Sequence, residues 1–254
     1  MNNFEKANNI KLLIAYDGSS FDGWQRGSEG KTIEEILEKA LGTICQHPIV
    51  LQAASRTDAG VHATGQVINF ITDHDFSLNK LIYRLSQLLP KAIAILHAEV
   101  ASENFHPTLD AIAKEYRYFV CTGRAQLPQH RIYSWHIPQT LNLQAIKEAA
   151  SMLCGKFDFS SFCNKKENLC QLDTVREIFS IEIQEMCDER LCFVIKGNNF
   201  LYRMVRTIVG TLIDIGRGKI SKDSIPEILR ACDRKRAGIC APAHGLFLHH
   251  VFYN

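Results

Sequence analysis

The chain has 254 residues, enough for one large domain or two smaller ones sharing a core. With 46% hydrophobic and 22% charged residues it has the composition of an ordinary soluble globular protein, and no apolar run reaches the roughly 20 residues of a membrane helix. The formal net charge is +2, so bulk charge does not mark a nucleic-acid binder, and any basic surface must come from local clustering.

Residues 1–9 are polar and lack the apolar core of a signal peptide. Ile10 to Tyr16 reads as a strand ended by the turn Asp17-Gly18-Ser19-Ser20. Thr32-Ile33-Glu34-Glu35 is a capping box, and Ile33, Ile36, Leu37, Ala40, Leu41 and Ile44 keep helical spacing behind it. Two short apolar runs, residues 49–54 and 66–71, read as buried strands. Leu78 to Leu89 predicts a helix stopped by Pro90, and Ala92 to Val100 a strand.

After Asn104-Phe105-His106-Pro107 a second half begins, with a strand over Lys114 to Cys121. Arg124 to Pro138 carries turn residues and four basic or imidazole groups, and reads as an exposed insertion. Asn142 to Cys154 reads as a helix closed by Gly155. Val175 to Glu185 and Leu191 to Lys196 predict a hairpin, Leu201 to Ile215 a helix with Gly216 just past its end, and Ser224 to Cys232 a short helix. Gly245 to Tyr253 is a closing strand. The alternation predicts an α+β fold of two halves, 1–104 and 105–254, with helices on an antiparallel-rich sheet.

Nine cysteines are scattered without a CxxC pair, several inside apolar stretches. They read as small core hydrophobes in a reducing compartment, and the chain as cytoplasmic. The histidines lack ligand spacing, so no metal is expected. No Walker loop and no GxGxxG is present, and Gly216-Arg217-Gly218-Lys219 reads as a helix-ending turn.

Three groups are candidates for chemistry. In Ala54-Ser55-Arg56-Thr57-Asp58-Ala59-Gly60-Val61-His62 an acid follows a guanidinium by two residues on a turn between apolar runs. Asp58 there is a base, a nucleophile or an ion-pair partner, or else a cap on a backbone N–H. Arg206 sits among Val205, Ile208 and Val209, and either pairs with a carboxylate or phosphate or snorkels to water. In Lys114-Glu115-Tyr116-Arg117-Tyr118 both tyrosines share one face of a strand, as stacking platforms for unpaired bases or as ordinary sheet packing.

Five segments, in order, resemble the tRNA pseudouridine synthases of the TruA type. They are Tyr16-Asp17-Gly18 with Phe21-Asp22-Gly23-Trp24-Gln25; Arg56-Thr57-Asp58-Ala59-Gly60-Val61-His62-Ala63; Phe105-His106-Pro107 with Lys114 to Tyr118; Asn199 to Arg206 with Ile208-Val209-Gly210; and Ala241-Pro242 with Gly245-Leu246. The chain departs from that pattern at Ser55, where bacterial members usually carry Gly, and at Thr108, where Arg is usual.

The resemblance implies the pseudouridine synthase fold, two similar α/β halves sharing a large sheet with the active site in the cleft between them. It implies isomerisation of uridine to pseudouridine in the anticodon stem-loop of tRNA, at positions 38, 39 and 40. It also implies a homodimer that needs neither metal nor organic cofactor. By that likeness Asp58 is the catalytic nucleophile, Arg206 its partner, and Tyr116 stacks on the uracil. Arg56 fills the space left by the flipped base, and Phe105 and His106 add contacts near the cleft. Further basic contacts are expected from Arg124, His130, Arg131, Lys165, Lys166 and Arg203. The rival readings are a relative acting on other RNA sites, a non-catalytic RNA-binding protein on this scaffold, and a metal-dependent deaminase. The last would need clustered Cys and His ligands. Whether Asp58 attacks the sugar or takes a proton, and what accepts the C5 proton, stay open in the sequence.

Overall fold

The structure, a computed structural model, describes residues 8–27, 31–75, 77–164 and 173–254. In chain order its elements are β1 (Asn8–Tyr16), α1 (Ile33–Cys45), β2 (Gln52–Ala53), β3 (His62–Thr72), α2 (Leu78–Leu88) and β4 (Ile93–Val100). Then come β5 (Ala113–Cys121), β6 (Trp135–His136), α3 (Leu143–Met152), β7 (Gly155–Asp158), β8 (Val175–Glu185) and β9 (Arg190–Gly197). The last are α4 (Met204–Gly216), α5 (Ile225–Ala231) and β10 (Leu246–Phe252). Ten strands and five α-helices among the described residues make this an α+β protein, as the alternation predicts. No helix of the described residues is long and apolar enough to cross a membrane.

Two compact units divide the chain, one of residues 1–112 with 248–254 and one of residues 113–247. In the first, strands run in the order β4-β1-β3-β10, with β2 beside β3. The β1–β3 and β1–β4 pairs are antiparallel, with Leu12 opposite Ile68 and Ala98. Ile10, Leu12, Ile14 and Tyr16 alternate into the core, as period two demands. α1 opens as expected, with the Thr32 hydroxyl accepting from the Glu35 N–H at 3.4 Å. Leu37 and Leu41 of α1, with Leu81 and Leu85 of α2, are fully buried, the apolar stripes of two amphipathic helices.

In the second unit the order is β5-β9-β8-β7. These pairs are antiparallel, and the short β6 lies parallel to β5. The expected β8–β9 hairpin is present. α3 packs on α4 and β8, and α5 on β7. α4 is buried on every side, and Arg206 is its one residue that is not.

Several boundaries differ from the sequence reading, each for a local reason. The run 49–54 shortens to the two residues of β2, because the Leu51 N–H bonds to the Glu38 carboxylate instead of a strand and Val50 is exposed. β3 starts at His62, four residues early, because that ring is buried and hydrogen-bonded. α4 starts at Met204 and not Leu201, because Arg203 holds a left-handed φ of 60°. Gly155 opens β7, a strand the sequence reading lacks. Arg124 to Pro138 is not simply an exposed insertion: it contributes β6, and Ser134 and Ile137 are fully buried. Of the cysteines, Cys45, Cys121, Cys163 and Cys192 are buried free thiols, whereas Cys187 and Cys232 are exposed.

Residues 238–242 form a strap across α4. Arg206, Gly210 and Asp214 lie at i, i+4 and i+8 on one stripe of that helix and face it. The Ala241 N–H donates to the Arg206 carbonyl at 3.0 Å, the Gly238 N–H to the Thr211 hydroxyl at 2.9 Å and the Ile239 N–H to Asp214 Oδ2 at 3.4 Å. A Cβ on Gly210 would stand 1.8 Å from the Ile239 carbonyl oxygen, so only glycine permits this approach. Gly210→Ala must push the strap off the helix and should cost about 2–4 kcal/mol. Urea denaturation measures it, and an unshifted midpoint would show that the strap is not fixed.

Candidate active site

The segment 54–61 between β2 and β3 is irregular backbone, and neighbouring side chains hold it. Gln66 of β3 is fully buried. Its amide nitrogen donates to the Ser55 carbonyl at 2.6 Å and its amide oxygen accepts from the Ser55 N–H at 3.3 Å. The Thr57 hydroxyl shares a 2.8 Å hydrogen bond with the Tyr16 hydroxyl, and the Thr57 carbonyl accepts from the Trp24 N–H at 3.0 Å. At the far end the Val61 N–H donates to the Asp58 carbonyl at 3.1 Å, closing a turn. The Gly18 N–H donates to Nδ1 of buried His62 at 3.1 Å, and the Asp17 carboxylate lies 3.2 Å from the same ring nitrogen. Gly18 is obligatory there, since a Cβ would lie 1.9 Å from the Val61 carbonyl oxygen.

The outcome is a half-buried Asp58 on a fixed turn with an exposed Arg56 two residues earlier. The motif Tyr16-Asp17-Gly18 and the Gly23-Trp24 pair therefore serve as supports of the Asp58 loop. Sequence reasoning placed Asp58 and Arg56 but missed the roles of Gln66, Tyr16 and Thr57. The available signal was polar residues inside runs that read as buried strands.

The turn carrying Phe105 and His106 belongs to the same unit. The Thr108 hydroxyl donates to the Ala53 carbonyl at 2.6 Å, so the residue standing where the family pattern carries Arg ties this turn to β2. Phe105 packs edge-on against Tyr253 at 5.2 Å, and Lys11 Nζ lies 5.0 Å from its ring centroid. His106 Nδ1 accepts from the Thr108 and Leu109 N–H groups at 3.1 and 3.3 Å. Both side chains are thus engaged in holding their own turn.

In the second unit Tyr116 and Tyr118 lie on one face of β5, both buried, while Arg117 points the other way and is part-exposed. Tyr116 meets the Phe200 ring edge-on at 5.1 Å and 81°. The Tyr118 hydroxyl donates to the Pro242 carbonyl at 2.8 Å, and burial pushes its pKa far up despite the nearby Arg206 charge. Arg206 Nε donates to the Ala241 carbonyl at 2.8 Å. Tyr118 and Arg206 are therefore brought to consecutive carbonyls of one strap. His244 follows that strap: burial holds its pKa below the ordinary 6.5, the Ser134 backbone raises it and the Arg206 charge lowers it. A neutral imidazole beside a half-buried guanidinium leaves the arginine as the cation of this cluster.

Lys114 stands at the head of the strand that carries both tyrosines. It is 2% exposed, and its Nζ donates to Asn199 Oδ1 at 2.9 Å. Burial, and then the Arg176 charge, push its pKa down to about 8 from the ordinary 10.5. Its place at the same strand parity as two core tyrosines is the sequence signal of this burial.

Among the expected basic contacts, Arg124 and Arg131 are exposed. His130 lies 3.8 Å from Asp188, and Arg203 sits 4.9 Å over the Tyr202 ring. Lys165 and Lys166 lie outside the described residues. Among the described residues no group of three or more His, Cys, Asp or Glu side chains is placed to hold a metal ion.

Two measurements test these supports. Gln66→Leu strips both Ser55 backbone groups of their partner and should cost about 1–3 kcal/mol in urea denaturation. An unaltered midpoint would mean that water replaces the amide at no cost. Lys114 gives a pH signature. Between pH 8 and 10.5 the unfolded chain holds the lysine proton more than the folded one does, so unfolding takes up protons and stability rises with pH. The rise should be on the order of 3 kcal/mol and should disappear in Lys114→Met. A Tm-versus-pH series of both proteins checks it.

The family model described as tRNA pseudouridine synthase matches residues 12–109 and 149–254. The chain is 52% identical over 246 residues to tRNA pseudouridine synthase A 2 of Protochlamydia amoebophila (strain UWE25), covering 96% of this chain and 94% of that protein. It is 43% identical over 247 residues to tRNA pseudouridine synthase A of Bacillus subtilis (strain 168), covering 96% of this chain and 99% of that one. Against the protein of that name from Thermoanaerobacter sp. (strain X514) identity is 39% over 245 residues, again 96% and 99% of the two chains. With more than half its residues matched and near-complete overlap with these relatives, the chain belongs to the tRNA pseudouridine synthase family.

Proposed function

We propose that this protein converts uridine to pseudouridine in the anticodon stem-loop of tRNA, at positions 38, 39 and 40. On this reading it acts as a cytoplasmic homodimer. Family membership makes it an isomerase of the TruA type acting on tRNA. The tRNA positions rest on the resemblance to the TruA type, and the reading of the catalytic site rests on one observation above all. Asp58 is held half-buried by a loop whose supports are all in place: Gln66 at Ser55, Tyr16 at Thr57 and Gly18 at His62.

The chemistry fits these residue types. The C1′–N1 bond breaks, the uracil turns, and C1′ bonds to C5. The C5 proton departs and N1 gains one, so nothing is oxidised and no group leaves. Charge developing at C1′ suits the Asp58 carboxylate. Arg206 supplies a fixed cation, its Nε held by the Ala241 carbonyl, and on the family pattern it pairs with Asp58. On the family pattern the ring of Tyr116, buried here, stacks on the detached uracil and keeps it near C1′, so that recombination stays intramolecular. The target base must first leave its stack, which costs a few kcal/mol. Exposed Arg56 is suited to filling the vacated space.

Asp58→Asn separates chemistry from binding. It should leave tRNA affinity within a few-fold of wild type while tritium release from 5-tritiated uridine in tRNA vanishes. Turnover near the wild-type rate would remove Asp58 from the mechanism, and release from uridines outside positions 38–40 alone would overturn the site assignment.

A further inference from the structure

A buried cation is expensive, and Lys114 is among the least exposed charged groups described. A methionine would fill the same volume more cheaply, so what the ammonium does there needs an account. It is the donor at the head of a short chain of contacts. Lys114 Nζ donates to Asn199 Oδ1 at 2.9 Å. The same oxygen accepts the Phe200 N–H at 2.9 Å, which fixes where the Phe200 backbone begins. The Phe200 ring then stands edge-on to Tyr116 at 5.1 Å. Lys114 and Tyr116 also share one face of β5, opposite Gly197 and Ile195 of β9.

We propose that Lys114 is a positioning residue for Tyr116, acting through Asn199 and the ring of Phe200. The proposal rests on the reading of Tyr116 as the surface that holds the uracil. The aromatic edge contact sets the tilt of the Tyr116 ring, and a stacking platform works only at the right tilt. Two hydrogen bonds converging on one amide oxygen decide where that edge sits.

The relay carries a titration. The charged group that bears on Lys114 is Arg176, from β8. Asn199, from the turn after β9, supplies the hydrogen bond, and Glu115 and Arg117 of β5 alternate to the opposite face. An ammonium donor makes a charge-assisted bond to Asn199, and a neutral amine a weaker one. With the pKa of Lys114 pushed down to about 8, the link weakens as pH passes that value. The sign follows: kcat should fall above pH 8, with KM for tRNA little changed, because the uracil meets Tyr116 only after the RNA has bound.

Kinetics on the full-length protein test this. Lys114→Met should lower kcat about tenfold to a hundredfold, leave KM within about twofold, and abolish the fall above pH 8. Asn199→Asp keeps an acceptor for both bonds and pairs with the ammonium, so it should move that fall to higher pH. A purely structural role for Lys114 would not shift a kinetic pH profile through a change at Asn199. Tyr116→Leu separates the two levels of the argument. If it turns over like wild type, the reading of Tyr116 fails and the relay with it. If it is inactive while Lys114→Met keeps wild-type kcat and the same pH profile, the relay alone is wrong. A pH profile of Asn199→Asp superimposable on wild type would overturn the relay as well, without depending on whether Lys114→Met folds.

Discussion

The loop that carries Asp58 has no regular structure to satisfy its own backbone, and this constraint organises the first unit. Partly buried N–H and C=O groups must find partners or pay for their desolvation. Here several come from side chains that the strands spend for the purpose. Gln66 gives up an apolar core position to hold Ser55 from both sides, while the Trp24 N–H serves the Thr57 carbonyl and the Tyr16 hydroxyl holds the Thr57 hydroxyl. Thr108 extends the scheme by pinning the Phe105-His106 turn to Ala53. A carboxylate on an unsupported loop would sample many positions. Here the chain on either side of Asp58 is held at three points, and on the proposed reading preorganisation of this kind lowers the reaction barrier without new contacts.

The second unit solves a similar problem with a helix. α4 is buried all round, so its one less-buried side chain, Arg206, has a direction decided by the packing of the other twelve. The strap 238–242 then grips the guanidinium and the backbone of the same residue, and Tyr118 grips the next carbonyl of the strap. Gly210 is what lets the strap come this close. Lys114, Asn199 and Phe200 form a comparable chain of contacts that ends on Tyr116. In each case a side chain marked by the family pattern has neighbours that hold its surroundings.

Such an arrangement suits a reaction in which nothing is gained or lost overall. A uridine isomerase has to break one bond and make another with the same two partners, and its main task is to keep them together and oriented. The polar supports lie beneath the Asp58 loop and at the strap, where they cost stability and return fixed geometry. The price of the buried lysine is of the same kind.

The sequence alone carried the α+β class, the order of the elements, the capping box of α1 and the paired strands β8 and β9, because hydrophobic period and turn residues are local signals. It also carried the family, because the five motifs are contiguous strings, and with the family came Asp58, Arg206 and Tyr116 as candidates. It could not show where β3 and α4 begin. Those starts were decided by a buried histidine bonded to Gly18 and by the left-handed φ of Arg203. Nor could it show that Thr108 anchors a turn, that Gln66 props Ser55, or that the strap reaches Arg206. Each of these joins residues beyond one element, 55 positions apart in the case of Thr108 and Ala53, 35 in that of Arg206 and Ala241 and 11 in that of Gln66 and Ser55. Local propensity says nothing about such pairs. They exist only because folding brings an unsatisfied polar group within 3 Å of a partner, and that distance is a property of the tertiary structure.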